Sequence, residues 1–279
     1  MNIIDSHFHL WDRSRFSYDW LNAVPELNRD MLPCEYWATA RSLPITQSVF
    51  VEAYVNREYC VDETLWVLSQ TRDNKWIAGI VGAVYLESPH AAQDLQRLAE
   101  HRLFKGVRRL LDEEPDDNFP ARPDFIRGVQ TLAQFSLPFD ICIRNTQLPA
   151  ALELVKQSPG VQFVLDHCGK PNIKDGQWQP WADQIAEFAT LGNTYCKMSG
   201  LVTEAGRENV TVEHLKPYID HILAQFGVER LMFGTDWPVC ILASSPERWL
   251  EVLLAALADL TEDQKDWLFR KSCERFYNL

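Results

Sequence analysis

At 279 residues, 46% hydrophobic and 24% charged, the chain has the length of one large domain and the balance of a soluble globular protein. Its formal net charge of −12 argues against nucleic acid or an anionic membrane surface as partner, since both demand clustered Lys and Arg. No basic region precedes the short apolar run at Ile3-Ile4, so no signal peptide is expected, and no apolar run is long enough to span a bilayer.

From the amino end, short apolar runs recur at 3–5, 47–52, 76–85, 104–109, 138–144, 162–166, 194–197 and 231–235. Most are continuous Val, Ile, Leu and Phe, as expected of parallel strands covered on their outer side. Between them the apolar period becomes helical. Residues 58–70 place Val61, Leu65 and Leu68 on one stripe, and 94–101, 124–135, 148–156, 178–191 and 212–226 follow the same spacing. Ser245-Pro246-Glu247 and Thr261-Glu262-Asp263-Gln264 are helix starts, the second a capping box. Regular strand–helix alternation favours a parallel sheet, and eight such units favour a single α/β domain over 1–279, closed as a (β/α)₈ barrel.

In such a barrel the loops after the strands carry the chemistry. The strand ends read His7 and His9, Glu52, Arg108 and Arg109, Arg144, His167, Ser199 and Asp236. Side chains at i and i+2 of a strand share a face, so His7 and His9 aim two imidazoles at one point, with Asp5 beneath them. Several ionisable groups converging on one barrel mouth are costly to bury unless they pair or act. His90, His101, His214 and His221 fall in loops or on helices and read as surface residues. The seven cysteines include no C-x-x-C pair and read as reduced thiols of a cytoplasmic protein, with Cys168 and Cys240 near the site.

The strings Asp5-Ser6-His7-Phe8-His9-Leu10-Trp11-Asp12, Leu165-Asp166-His167-Cys168-Gly169-Lys170-Pro171 and Phe233-Gly234-Thr235-Asp236-Trp237-Pro238 resemble the amidohydrolase superfamily. Within it they resemble the sugar-lactonase branch of fuconolactonases, rhamnonolactonases and the pyrone dicarboxylate lactonase. The resemblance runs the length of the chain and implies a barrel enzyme that hydrolyses a lactone ring. One departure stands out. Many members carry a metal-binding histidine or carboxylated lysine at the end of strand five, where this chain shows Arg144, which is always protonated and ligates nothing. Two metals are therefore not expected.

Two mechanisms stay open. Without metal, Asp236 is the general base, His167 shares its proton, and His7, His9 and Arg144 stabilise the oxyanion. With metal, His7, His9 and Asp236 hold one divalent ion, Zn²⁺ foremost, with Glu52 or His167 as a further ligand. Trp11, Trp20 and Trp237 beside Arg108, Arg109, Arg144 and Lys170 suit a polyhydroxylated ring, and Glu52 joins them as a substrate contact. The expected partner is a small neutral L-aldonolactone, with a dianionic pyrone lactone as runner-up. A metal-dependent decarboxylase and a non-catalytic sugar-acid binder are the other readings. The sequence does not disclose the oligomeric state.

Overall fold

Eight parallel strands follow one another around the sheet in chain order: β1 Ile3–Phe8, β2 Ile45–Val51, β3 Ile77–Ala83, β4 Phe104–Arg108, β5 Phe139–Ile141, β6 Phe163–Leu165, β7 Thr194–Met198 and β8 Leu231–Phe233. A computed structural model describes all 279 residues. Each predicted apolar run overlaps its strand. The sheet closes into a (β/α)₈ barrel where Phe8 bridges Trp237, with His9 N–H donating to Trp237 O (2.8 Å) and Asp236 N–H donating to His7 O (2.8 Å). The same two bonds that shut the barrel seat Asp236 beside the β1 histidines.

The inside of the barrel is layered. Ile4, Val49, Val51, Val81, Val164 and Met232 point inward and pack with Cys273, Phe276 and Tyr277 of the helix Ser272–Tyr277. Toward the strand carboxyl ends this apolar plug gives way to a buried charged layer. Arg108, Asp140, Asp166 and Lys197 all sit there with almost no exposed surface.

β1 departs from strict alternation. Its pairing with β2 slips by one residue between Asp5 and Phe8, a bulge of the kind that re-aims side chains at a barrel rim. Asp5 and Phe8 consequently both meet Tyr36. Its hydroxyl donates to Asp5 Oδ2 (2.9 Å), and its ring stacks on Phe8 at 4.2 Å. Asp5 therefore does not lie beneath the imidazoles, as period two required. It ties β1 to Tyr36 and Thr235 instead.

The helix Cys60–Gln70 also turns differently from its apolar stripe. Val61, Leu65 and Leu68 are only partly buried, while Cys60, Glu63, Thr64 and Val67 face the barrel. Gly82 makes this approach possible: a Cβ there would stand 2.4 Å from Thr64 Oγ1. Thr64 satisfies its own hydroxyl on Cys60 O, and Glu63 accepts from Tyr18 Oη at 2.9 Å. Burial, reinforced by the Glu52 charge, pushes the Glu63 carboxyl up to about 8. Unfolded, it ionises near 4.5, so stability held below that pH is lost as pH climbs toward 8. Glu63→Gln removes the effect. The stability difference between variant and wild type in urea melts should grow by about 1.4 kcal/mol per pH unit across that window; a difference that stays flat refutes the assignment.

Candidate active site

At the carboxyl ends of the strands lies a cavity of about 250 Å³, on the small side for a ligand site. Its floor carries His9, His167 and Asp236, with Arg108 in the wall beside them. His7 lies directly beneath them, fully buried. Asp236 Oδ1 is 3.3 Å from His9 Nε2, 3.7 Å from His7 Nε2 and 3.8 Å from His167 Nε2. It is a buried oxygen with no hydrogen-bond partner in the protein. The three strand ends that the sequence singled out thus converge on one point.

The backbone needed for this convergence is unusual. Asp236 (φ 58°), His167 (φ 52°), Cys168 (φ 56°) and Lys170 (φ 50°) all occupy the left-handed region, which non-glycine residues rarely adopt and which clusters at functional sites. Gly200 is required beneath His167, because its φ is +70° and a Cβ would fall 2.6 Å from His167 Cβ.

Hydrogen bonds fix two of the imidazoles. His9 Nδ1 donates to Val51 O at 2.8 Å; a carbonyl only accepts, so in the neutral ring the lone pair is on Nε2, which faces the cavity floor. His7 Nδ1 lies 3.1 Å from Lys197 Nζ, and an ammonium only donates. His7 Nε2 lies 3.2 Å from His9 Nε2 and 3.4 Å from Arg108 Nη1, and His7 Nδ1 also lies 3.4 Å from Asp166 Oδ1. His167 Nδ1 meets Ser199 Oγ at 3.0 Å.

Lys197 Nζ bonds to His7 Nδ1 and Asp140 Oδ2 (2.5 Å) and is ion-paired with Asp166 Oδ1 at 3.0 Å, and Tyr277 Oη donates to the same Asp140 oxygen (2.7 Å). Arg108 binds Glu52 Oε1 (2.7 Å), the Glu52 carbonyl and Asp166 Oδ2 (3.3 Å). Burial lowers the His7 imidazole well below its usual range, helped by the Lys197 charge, and takes His167 down to about 4. Burial raises Asp236, but His167, His9 and His7 outweigh it and hold the carboxyl below the ordinary carboxylate range. At neutral pH the carboxylate of Asp236 is thus ionised beside the neutral imidazoles of His7 and His167.

Two groups of donors converge closely enough to hold an ion: His7, His9 and Asp236, and His7, Asp166 and His167. The Lys197 ammonium already sits against Asp166 and His7 of the second group. The first group fits one ion well. It offers a bare imidazole nitrogen and an unpaired carboxylate oxygen, with separations of 3.2 to 3.7 Å matching the ~3.4 Å between ligands of a tetrahedral Zn²⁺.

Other expected site residues lie elsewhere. Arg144 does not reach the cavity. β5 ends at Ile141, the inward position is Cys142, and Arg144 instead binds the Asp112 and Glu114 carbonyls and Asp117 Oδ1 (2.6 Å). The charge that stands against the second donor group is that of Lys197, not Arg144. Arg109 turns away to Glu87 and Glu114. Glu52 has one oxygen on Arg108 and the other on Tyr54 N–H (2.7 Å), and it does not line the cavity. Trp11 is fully buried behind Trp20, with Nε1 on Arg29 O, and Trp237 packs on Tyr36. Of the three tryptophans only Trp20 lines the cavity, beside Tyr54. Arg108 and Lys170 are at the wall as expected, Lys170 bonded to Asp112. Cys168 and Cys240 are buried outside the lining, whereas Cys142 is in it, and all seven cysteines are free. His221 is half-buried against Trp178 and Trp181 rather than on the surface.

The amidohydrolase family profile matches residues 4–279. The chain belongs to the amidohydrolase family. An L-fucono-1,5-lactonase of Burkholderia multivorans is 35% identical over 273 residues, covering 91% of this chain and 90% of that one. An L-rhamnono-gamma-lactonase of Scheffersomyces stipitis is 24% identical, covering 71% and 66%. The crystal structure of an amidohydrolase from Burkholderia multivorans with bound zinc superposes over the full length of both chains, with a TM-score of 0.89 and 32% identity. This amidohydrolase is accordingly an enzyme, and none of its helices is long and apolar enough to cross a membrane.

Asp140, Asp166, Lys197 and Cys142 escaped the sequence reading. A lone aspartate inside the apolar run 138–144 and a lone lysine inside 194–197 were the available signals, since an unpaired charge has no place in a barrel interior.

Proposed function

We propose that this amidohydrolase opens the ring of a neutral sugar-acid lactone, an L-aldonolactone of the fucono, rhamnono or galactono type, by adding water to the lactone carbonyl. The observation that carries the reading is the unpaired Asp236 Oδ1, set among three imidazoles on a cavity floor. The similarity to the L-fucono-1,5-lactonase supports the substrate class.

Asp236 takes the proton of the attacking water as it approaches the carbonyl carbon. A carboxylate held this acidic is a weak base, so the carbonyl must be polarised from the other side. Arg108, cationic and at the cavity wall, faces the growing oxyanion. Neutral His167 takes the proton onward and delivers it to the departing ring oxygen. When one Zn²⁺ is bound by His7, His9 and Asp236, it supplies Lewis-acid polarisation of the carbonyl.

The wall favours a neutral substrate over a dianion. Arg108 and Lys170 are each neutralised by carboxylates, and Arg109 and Arg144 point away. The cavity also exposes Asp112, Glu113 and Glu204.

A panel of L-fucono-1,5-lactone, L-rhamnonolactone, L-galactonolactone and pyrone dicarboxylate, followed with a pH indicator, tests the reading on chelator-treated protein and again after Zn²⁺ is added back. Turnover of at least one aldonolactone is expected, with little of the dianion; no ring opening under either condition removes the proposal. In the same assay kcat/KM should stay level from about pH 5.5 to 8 and fall below about pH 5, as His167 gains the proton it refuses at neutrality.

A further inference from the structure

Apart from the reactive floor, the cavity carries a second set of unsatisfied acceptors. Asp112 follows β4, and Thr203 and Glu204 sit on the short helix Leu201–Ala205 after β7. All three line the cavity. Thr203 Oγ1 and Asp112 Oδ1 are buried without a partner in the protein; the other Asp112 oxygen is held by Lys170. The Glu204 carboxyl is half-buried, makes no side-chain hydrogen bond, and senses Lys170 only through its charge.

Buried acceptors without partners are rare in folded proteins, and here they gather on one side of a ligand cavity. Carboxylates accept and do not donate, so the ligand groups that complete them are donors. Lys170, bound to one member and acting on another, disfavours a cationic ligand. Asp112, Glu113 and Glu204 disfavour an anionic one. Neutral hydroxyls remain, and Thr203 both gives and takes a hydrogen bond.

We propose that Asp112, Thr203 and Glu204 form a hydroxyl-reading wall that makes the site selective for polyhydroxylated rings over bare ones, a proposal resting on the reading of this cavity as a lactone site. Asp236 and the imidazoles address the carbonyl; these three residues address the far side of the ring. A site built to bond hydroxyls rejects a ring that lacks them, because its acceptors are then left dry and unpaired.

Thr203→Val keeps the side-chain shape and removes the hydroxyl, and Glu204→Ala removes the carboxylate from a partly exposed position; urea midpoints verify that both fold. Binding is measured by calorimetry with 1,5-anhydrohexitols of L-fuco, L-rhamno and L-galacto configuration, which carry the hydroxylated ring without a lactone carbonyl. Wild type should bind at least one of them, and each variant should bind it about tenfold or more weakly. The ratio of kcat/KM for L-fucono-1,5-lactone over δ-valerolactone should fall by a similar factor. Affinities within twofold of wild type in both variants overturn the proposal, as does the failure of all three anhydrohexitols to bind wild type at about 10 mM. Anhydrohexitol binding that depends on the wall, without lactone turnover by wild type, sinks the ring-opening reading and leaves the wall standing. Lactone turnover indifferent to both variants does the reverse.

Discussion

Asp236→Asn should lower kcat by about a thousandfold, within the range that a positioned base contributes, while leaving the urea midpoint close to that of wild type. Asparagine keeps the volume of the side chain and the backbone N–H that donates to His7 O at 2.8 Å. It also tolerates the left-handed φ of 58° at this position better than most residues. What it cannot do is take a proton from water. A kcat within tenfold of wild type refutes the role given to this carboxylate.

Lys197→Met should cost about 3 to 5 kcal/mol of stability, the usual penalty for removing one member of a buried ion pair. The ammonium is wholly buried and serves Asp140, Asp166 and His7 together. Without it, two carboxylates remain in the barrel with too few positive partners. Burial already pushes Asp140 up to about 6 despite the lysine. Adding Asp140→Asn to Lys197→Met should recover a substantial part of the loss, so that the double variant is less destabilised than the sum of the singles. Strict additivity in urea melts refutes this account of the charged layer.

The eight strands, their order and the convergence of His7, His9, His167 and Asp236 were legible because continuous apolar runs ended in polar groups at regular intervals. Three features were not. The bulge in β1 leaves no trace in a two-residue alternation, so Asp5 was expected on the histidine face and lies against Tyr36. Arg144 was misplaced because an apolar run does not announce where pairing stops. β5 ends at Ile141, which gives the inward position to Cys142. Trp11 and Trp237 illustrate a third limit: a large aromatic near a strand end packs beneath a loop as readily as it lines a mouth. The charged interior was harder still, because Asp140 and Lys197 make sense only as a pair, and they come from different strands, 57 residues apart.

The seam between β1 and β8 is short: one bridge and a few contacts, centred on Phe8, Trp237, His7 and Asp236. During synthesis the two histidines emerge first, while the carboxylate that completes their set follows more than two hundred residues later. A nascent chain therefore carries a half-built centre until its final stave docks. Reactivity and ring closure share one seam, so the centre is complete only where the last strand meets the first.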